Sequence, residues 1–169
     1  MKQNGQAAIE FILVLPFLFI FFYGVLEFSQ LFIQQQRVSA LSREIANSAF
    51  RSCSSLSGTQ LTGCLDVTLA QVKIGAVNIL PGFNTRGGTL IASIYRPGGG
   101  GVTTAALRTS GGGASTKYST GSFGATFVTD QGAVGVGEVF YPYQPLFTAL
   151  KKLLPSIGYP TTLYESTVL

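Results

Sequence analysis

Residues 11–33 read FILVLPFLFIFFYGVLEFSQLFI. From Phe11 to Leu26 there is no charge and almost no polarity. Coiled as a helix, the run is about 34 Å long at 1.5 Å per residue, enough to cross a ~30 Å hydrocarbon layer. Its aromatic share is high, with Phe11, Phe17, Phe19, Phe21, Phe22 and Tyr23 all in the run. Pro16 lacks an N–H for the carbonyl of Ile12, so a kink or local melting is expected there. A secretory signal peptide is the first alternative. It calls for a shorter apolar core and a small-residue cleavage site, and this run shows neither.

After Ile33 the composition changes but the helical period continues. Val38, Leu41, Ile45 and Ala49 form a stripe at spacings of three and four, with Gln34, Gln35, Arg37, Ser42, Arg43 and Glu44 filling much of the rest. No Gly or Pro interrupts residues 25–50. The expectation is one helix over residues 6–50, with the membrane part at about 11–33 and the second half packed on a head formed by residues 51–169. The fold class expected is α+β, with a small antiparallel sheet covered by that stripe.

Composition agrees with a membrane anchor. Charged residues make up 11% of the 169, against about 25% in soluble domains, and mean hydropathy is +0.38. The net charge of +4 is scattered, and Lys151-Lys152 is the only basic doublet. Nucleic-acid binding needs a concentrated basic surface, which argues against that class of partner. With no histidine, Ser-His-Asp and Cys-His catalysis are excluded. No motif calls for a cofactor or a metal, and no residue is singled out as catalytic. Cys53 and Cys64 either close one loop in an oxidising compartment or are two separate thiols; without His they make a poor zinc site.

In the head, residues 52–64 read as a polar loop. Residues 65–80 read as a strand whose phase slips after Leu69. Leu90 to Tyr95 reads as a short strand stopped by Pro97. Residues 98–122, with glycine runs at 98–101 and 111–113, read as a flexible loop. They lack the Gly-Lys-Ser/Thr ending of a phosphate cradle. Phe123–Thr129 and Ala133–Tyr141 read as a hairpin turning at Asp130-Gln131-Gly132, with Gly132, Gly135 and Gly137 marking a close approach of sheet and long helix. A short helix is expected at Leu146–Leu154. Tyr95, Tyr118, Tyr141 and Tyr143 are either exposed aromatic contacts or core packing.

Glu10 is the oddest residue, an acid among Ala7, Ala8, Ile9, Phe11 and Ile12. A carboxylate in hydrocarbon costs roughly 2.5–3.5 kcal/mol at a helix centre and less at its edge. Either Glu10 reaches the headgroups or it awaits a positive partner from another subunit. Glu27 poses the same question more weakly, at the far interface.

The segment Gly5-Gln6-Ala7-Ala8-Ile9-Glu10-Phe11, followed at once by the apolar run, resembles the processing site of type IV prepilins. The longer stretch resembles the TadE-like pseudopilins of tight-adherence pili. The matching features are Ala7-Ala8, Glu10-Phe11, Leu15-Pro16, Gly24 to Phe28, and Arg37 or Arg43. The resemblance implies a pilin-like fold and a leader of residues 1–5, cut after Gly5 by a prepilin peptidase to leave Gln6 as the new N-terminus. It implies that Glu10, next to Phe11, offsets the amino-terminal charge of a neighbouring subunit during assembly. The implied partners are other pilin subunits, an inner-membrane assembly platform and the lipid bilayer, with the N-terminus cytoplasmic and the head periplasmic. The function implied is that of a structural minor pilin or pseudopilin needed for assembly or maturation of an adherence pilus. The competing reading is a membrane-anchored binding or adhesin module acting through its head loops.

Overall fold

The computed structural model describes residues 3–145 and 161–169, with side chains from residue 9 onward. The expected helix at 146–154 lies outside the described residues. The elements are α1 (Gln3–Cys53), α2 (Gly58–Ile79), β1 (Thr89–Gly98), β2 (Gly101–Gly111), a 3-10 turn (Thr120–Ser122), α3 (Ala125–Gln131), β3 (Val134–Pro142) and β4 (Thr162–Val168). This is a long apolar N-terminal helix followed by a mixed α/β domain with a four-stranded antiparallel sheet, a pilin-like α+β architecture. The chain divides into two compact units. One holds α1 as far as Ile33; the other takes Gln34–Tyr143 and β4.

In the first unit the apolar side chains face outward. Phe17 and Phe21 are each 74% exposed, and Ile9 to Ile20 behave alike except near Leu15. Pro16 lies within α1, which stays helical through it. Ser29 donates its hydroxyl to the Val25 carbonyl at 2.8 Å, the way a helix satisfies a hydroxyl without water.

The second unit is built on a sheet of order β2-β1-β3-β4. Val38, Leu41, Ile45, Ala46 and Ala49 of α1 are all at most 1% exposed, so the expected stripe is the covering face. The sheet meets it at two glycines. A Cβ on Gly137 would stand 2.4 Å from the Ser42 carbonyl oxygen, and one on Gly135 would stand 3.1 Å from Phe50 Cβ. The absence of side chains at these positions lets the α1 backbone approach the strand. Two polar contacts fix the register. Ser42 and Thr167 hydroxyls lie 2.9 Å apart, and Gln35 Nε2 donates to Glu165 Oε2 at 2.9 Å.

The segment 52–79 departs from expectation. Residues 52–64 are no polar loop: α1 continues to Cys53 and α2 starts at Gly58. Residues 65–80 are not a strand. Leu61, Leu65, Leu69, Val72 and Ala76 are buried at helical spacing, and the apparent phase slip is that period crossed by outward-facing Val67 and Ile74. Three contacts hold α2 antiparallel to α1. The Cys53–Cys64 disulfide, with Cα atoms 5.8 Å apart, joins them at one end. There the Arg96 guanidinium donates to the carbonyls of Ser54 and Leu56 in the turn. At the other end Arg37 donates to the Ile79 carbonyl at 2.8 Å, placing positive charge where the helix dipole is negative.

The Gly-rich segment 98–122 is likewise not one loop. Gly99 and Gly100, with φ of +57° and +88°, make a two-residue hairpin. It leads into β2, paired with β1 from Gly98↔Gly101 to Thr89↔Gly111. Pro97 does not stop β1, because β3 pairs only as far as Tyr95 and the missing N–H has no strand to serve. Residues 123–129 are not a strand of a hairpin either. Residues 125–131 form α3, closed by Gly132 at φ +73°, and β3 pairs with β1 and β4 instead. β4 had no defined counterpart in the sequence reading. Across the sheet from α1, Tyr95, Val128, Val134 and Val136 form a second core, with Val102, Tyr118 and Phe123 packed against it.

Candidate functional site

The residues singled out at the N-terminus stand along one uninterrupted helix. Gly5 and Gln6 lie in its first turn and a half. Glu10 is exposed, and Phe11 beside it is 66% exposed. The surface from Ile9 onward is apolar on every side, which suits lipid or other apolar helices and does not suit water. α1 is long and apolar enough to cross a bilayer. Glu27, eleven residues past Pro16, is buried at 4% exposure. It therefore sits differently from Glu10, which faces outward. Cys53 and Cys64 are brought together as a disulfide, as one of the two sequence readings held.

The tyrosines offered as exposed contacts are core residues. Tyr95, Tyr141 and Tyr143 are buried and Tyr118 is half-buried. Tyr95 donates its hydroxyl to the Tyr118 carbonyl at 3.2 Å. Tyr141 donates to the Pro81 carbonyl at 2.8 Å and stacks parallel on Phe83. None of the four is exposed as a contact surface of aromatics would require.

Sequence reasoning passed over Glu138, which is fully buried on β3. Its carboxylate accepts from the Lys117 backbone N–H at 2.9 Å, from the Tyr164 hydroxyl at 3.0 Å, and from the Thr116 hydroxyl. The Lys117 ammonium lies 3.6 Å from the Tyr164 ring centroid, and Tyr118 and Ser166 hydroxyls meet at 2.9 Å. Burial, reinforced by the neighbouring Glu138 charge, pushes the Tyr164 phenol from 10.0 up to about 12, against the opposing pull of the Ser166 hydrogen bond. The carboxylate is a latch holding the irregular segment 112–119 on the sheet, since its acceptor sites are taken up by donors from that segment and from β4. No sequence pattern pointed to it, because its partners lie 21 to 26 residues away.

Among the described residues no group of three or more His, Cys, Asp or Glu is placed to hold a metal ion. No curated protein and no solved structure matches the chain. Residues 5–47 match the family model of TadE-like proteins; that span covers the apolar run and the buried stripe as far as Ala46, and ends before α2 and the sheet.

Proposed function

We propose that the chain is a minor pilin or pseudopilin that serves assembly or maturation of a tight-adherence pilus. The single observation that carries this reading is the coincidence of the TadE-like match at residues 5–47 with a helix whose first half is apolar all round and whose second half is the spine of the head. A prepilin peptidase cuts after Gly5, and Gln6 becomes the N-terminus. The apolar run holds the subunit in the inner membrane with the head on the periplasmic side. The Cys53–Cys64 disulfide supports that side, since such bonds persist in oxidising compartments.

In this reading Glu10 is the assembly contact. A carboxylate and a new amine are each costly in hydrocarbon, and bringing them together between neighbouring subunits offsets both. Before cleavage the amine stands five residues from its working position, so processing switches assembly on. The test is Glu10→Ala and Glu10→Leu in the native host. Both variants are expected to insert in the membrane normally and to lose incorporation into assembled pilus complexes. Normal incorporation of both removes Glu10 from the mechanism.

A further inference from the structure

Two arginines at the start of the head are bonded to neutral oxygens and not to acids. Arg37, exposed on α1, donates to the Ile79 carbonyl at 2.8 Å. Half-buried Arg86 donates to the Tyr141 hydroxyl at 3.2 Å, and that hydroxyl donates in turn to the Pro81 carbonyl at 2.8 Å. The carbonyls concerned belong to residues 79 and 81, whose Cα atoms are at most about 7 Å apart, so one short turn gathers both cations. Gly82, at φ +69°, leaves room for this: a Cβ there would stand 3.0 Å from Arg86 Nε. Among the described residues neither arginine is in an ion pair, and residues 67–129 contain no Asp or Glu. Glu165 is held by Gln35, which points from α1 about 200° away from Arg37.

Holding the end of α2 explains one bond of Arg37, and holding Tyr141 explains one bond of Arg86. Neither explains two guanidinium charges gathered without a counter-charge. A guanidinium presents a planar fork of N–H donors that matches phosphate oxygens, and most of each fork is unspent. We propose that Arg37 and Arg86 bind the phosphate of anionic phospholipid headgroups in the leaflet from which the head emerges. The inference rests on the membrane-anchor reading above.

Depth, charge and apolar contact all select lipid. α1 is one helix through Ile33, where the apolar run ends, and Arg37 stands four residues further on. That is about 6 Å along the axis, and the headgroup layer beyond the hydrocarbon is roughly 5–8 Å thick on each side. The depth of Arg37 follows from the continuity of α1 alone, and Arg86 is tied to Arg37 through residues 79–81 within the head. Basic side chains next to a membrane helix attract anionic headgroups. Between the two cations the turn also exposes Ile79, at 38%, and Pro81. Apolar side chains beside positive charge suit the boundary between headgroups and acyl chains. A phosphate ion in water meets the same donors but gains nothing from Ile79 and Pro81.

The test uses the full-length chain reconstituted in phosphatidylcholine vesicles, with and without phosphatidylglycerol. Thr85→Cys, on the exposed turn beside Arg86, carries a fluorophore, and lipids with a headgroup-linked quencher report contact. The native cysteines are closed as Cys53–Cys64 and do not take the label. Thr104→Cys, exposed toward the far end of β2, is the control. Phosphatidylglycerol is expected to raise quenching at the Thr85→Cys label at least twofold and to leave the Thr104→Cys label unchanged. Arg37→Gln with Arg86→Gln is expected to abolish the rise, and Arg37→Lys with Arg86→Lys, which keeps the charge, to retain part of it. Equal quenching in the two lipid mixtures overturns the proposal without recourse to any arginine variant. So does a rise that survives the double Gln variant, or one that is equal at the control position. Inorganic phosphate that removes the rise at constant ionic strength assigns the site to the free ion and overturns the lipid assignment. Carbonate extraction of the same vesicles separates the two readings. A chain released from the vesicles refutes the anchor, whereas a retained chain with quenching independent of lipid charge refutes only the headgroup site.

Discussion

Replacing Gly137 by alanine tests how closely α1 and the sheet meet. The added Cβ would stand 2.4 Å from the Ser42 carbonyl oxygen, 2.7 Å from the Ala46 nitrogen and 2.9 Å from Ile45 Cβ. Ordinary C···O contacts begin near 3.3 Å, so helix and strand must part by about 1 Å. Two of the three atoms are backbone and cannot rotate away. The helix is also held by Ser42 to Thr167 and Gln35 to Glu165. The φ of Gly137 is not positive, so the penalty is steric alone. Overpacking of this kind costs about 2–3 kcal/mol. Gly135→Ala is the milder comparison, because its Cβ would meet Phe50 Cβ at 3.1 Å, Phe50 Cδ2 at 3.4 Å and the Ala46 carbonyl oxygen at 3.5 Å, at most a few tenths of an ångström inside ordinary contact. Its cost is expected below about 1 kcal/mol. Gly75→Ala lies inside α2 with nothing within 4 Å and is expected to stabilise by roughly 0.8 kcal/mol. Urea unfolding of the detergent-solubilised chain, followed by tyrosine near-UV dichroism, reads all three. At about 1–3 kcal/mol per molar urea, Gly137→Ala moves the midpoint down by roughly 1 M or more. A Gly137→Ala midpoint equal to that of wild type, or to that of Gly135→Ala, refutes the close approach.

Three further outcomes are expected. Reducing Cys53–Cys64, which closes a span of 11 residues, costs about 2.8 kcal/mol by loop entropy, measured as the drop in urea midpoint with reductant; an unchanged midpoint contradicts it. Glu138→Ala strips three donors of their acceptor and costs about 3 kcal/mol, and the 112–119 segment becomes sensitive to protease; equal protease resistance of the variant argues against the latch. The Tyr164 phenol is raised in the folded state, so its neutral form is favoured by folding. The stability it contributes is complete below pH 10 and is lost as pH climbs through 10 toward 12. Tyr164→Phe should flatten that part of the alkaline unfolding curve, and an unchanged curve contradicts the assignment.

How much of this could be seen in the sequence varies by element, for physical reasons. α1 was legible because a run free of glycine and proline carried one stripe, Val38 to Ala49, against polar neighbours. β3 was legible, and so was the closeness of Gly135 and Gly137 to the helix. α2 was hidden because apolar residues face both inward and outward, which erases the contrast that reveals a period of 3.6. The same Val67 and Ile74 that mimicked a strand face outward from α2. β2 was hidden behind its flanking glycines, although Val102, Thr103 and Thr104 are good strand formers. α3 spans seven residues, too few to show a period. At the candidate site, Gly5, Glu10 and the cysteines could be picked out because their meaning lies in local spacing. Glu138 could not, because its role comes from chain segments brought together only by folding.

The most direct measurement of the central claim is the intact mass of the chain extracted from membranes of a peptidase-positive host. The account predicts a polypeptide beginning at Gln6, lighter by the two hydrogens lost to the Cys53–Cys64 bond. A chain that keeps Met1 to Gly5 in those cells contradicts it.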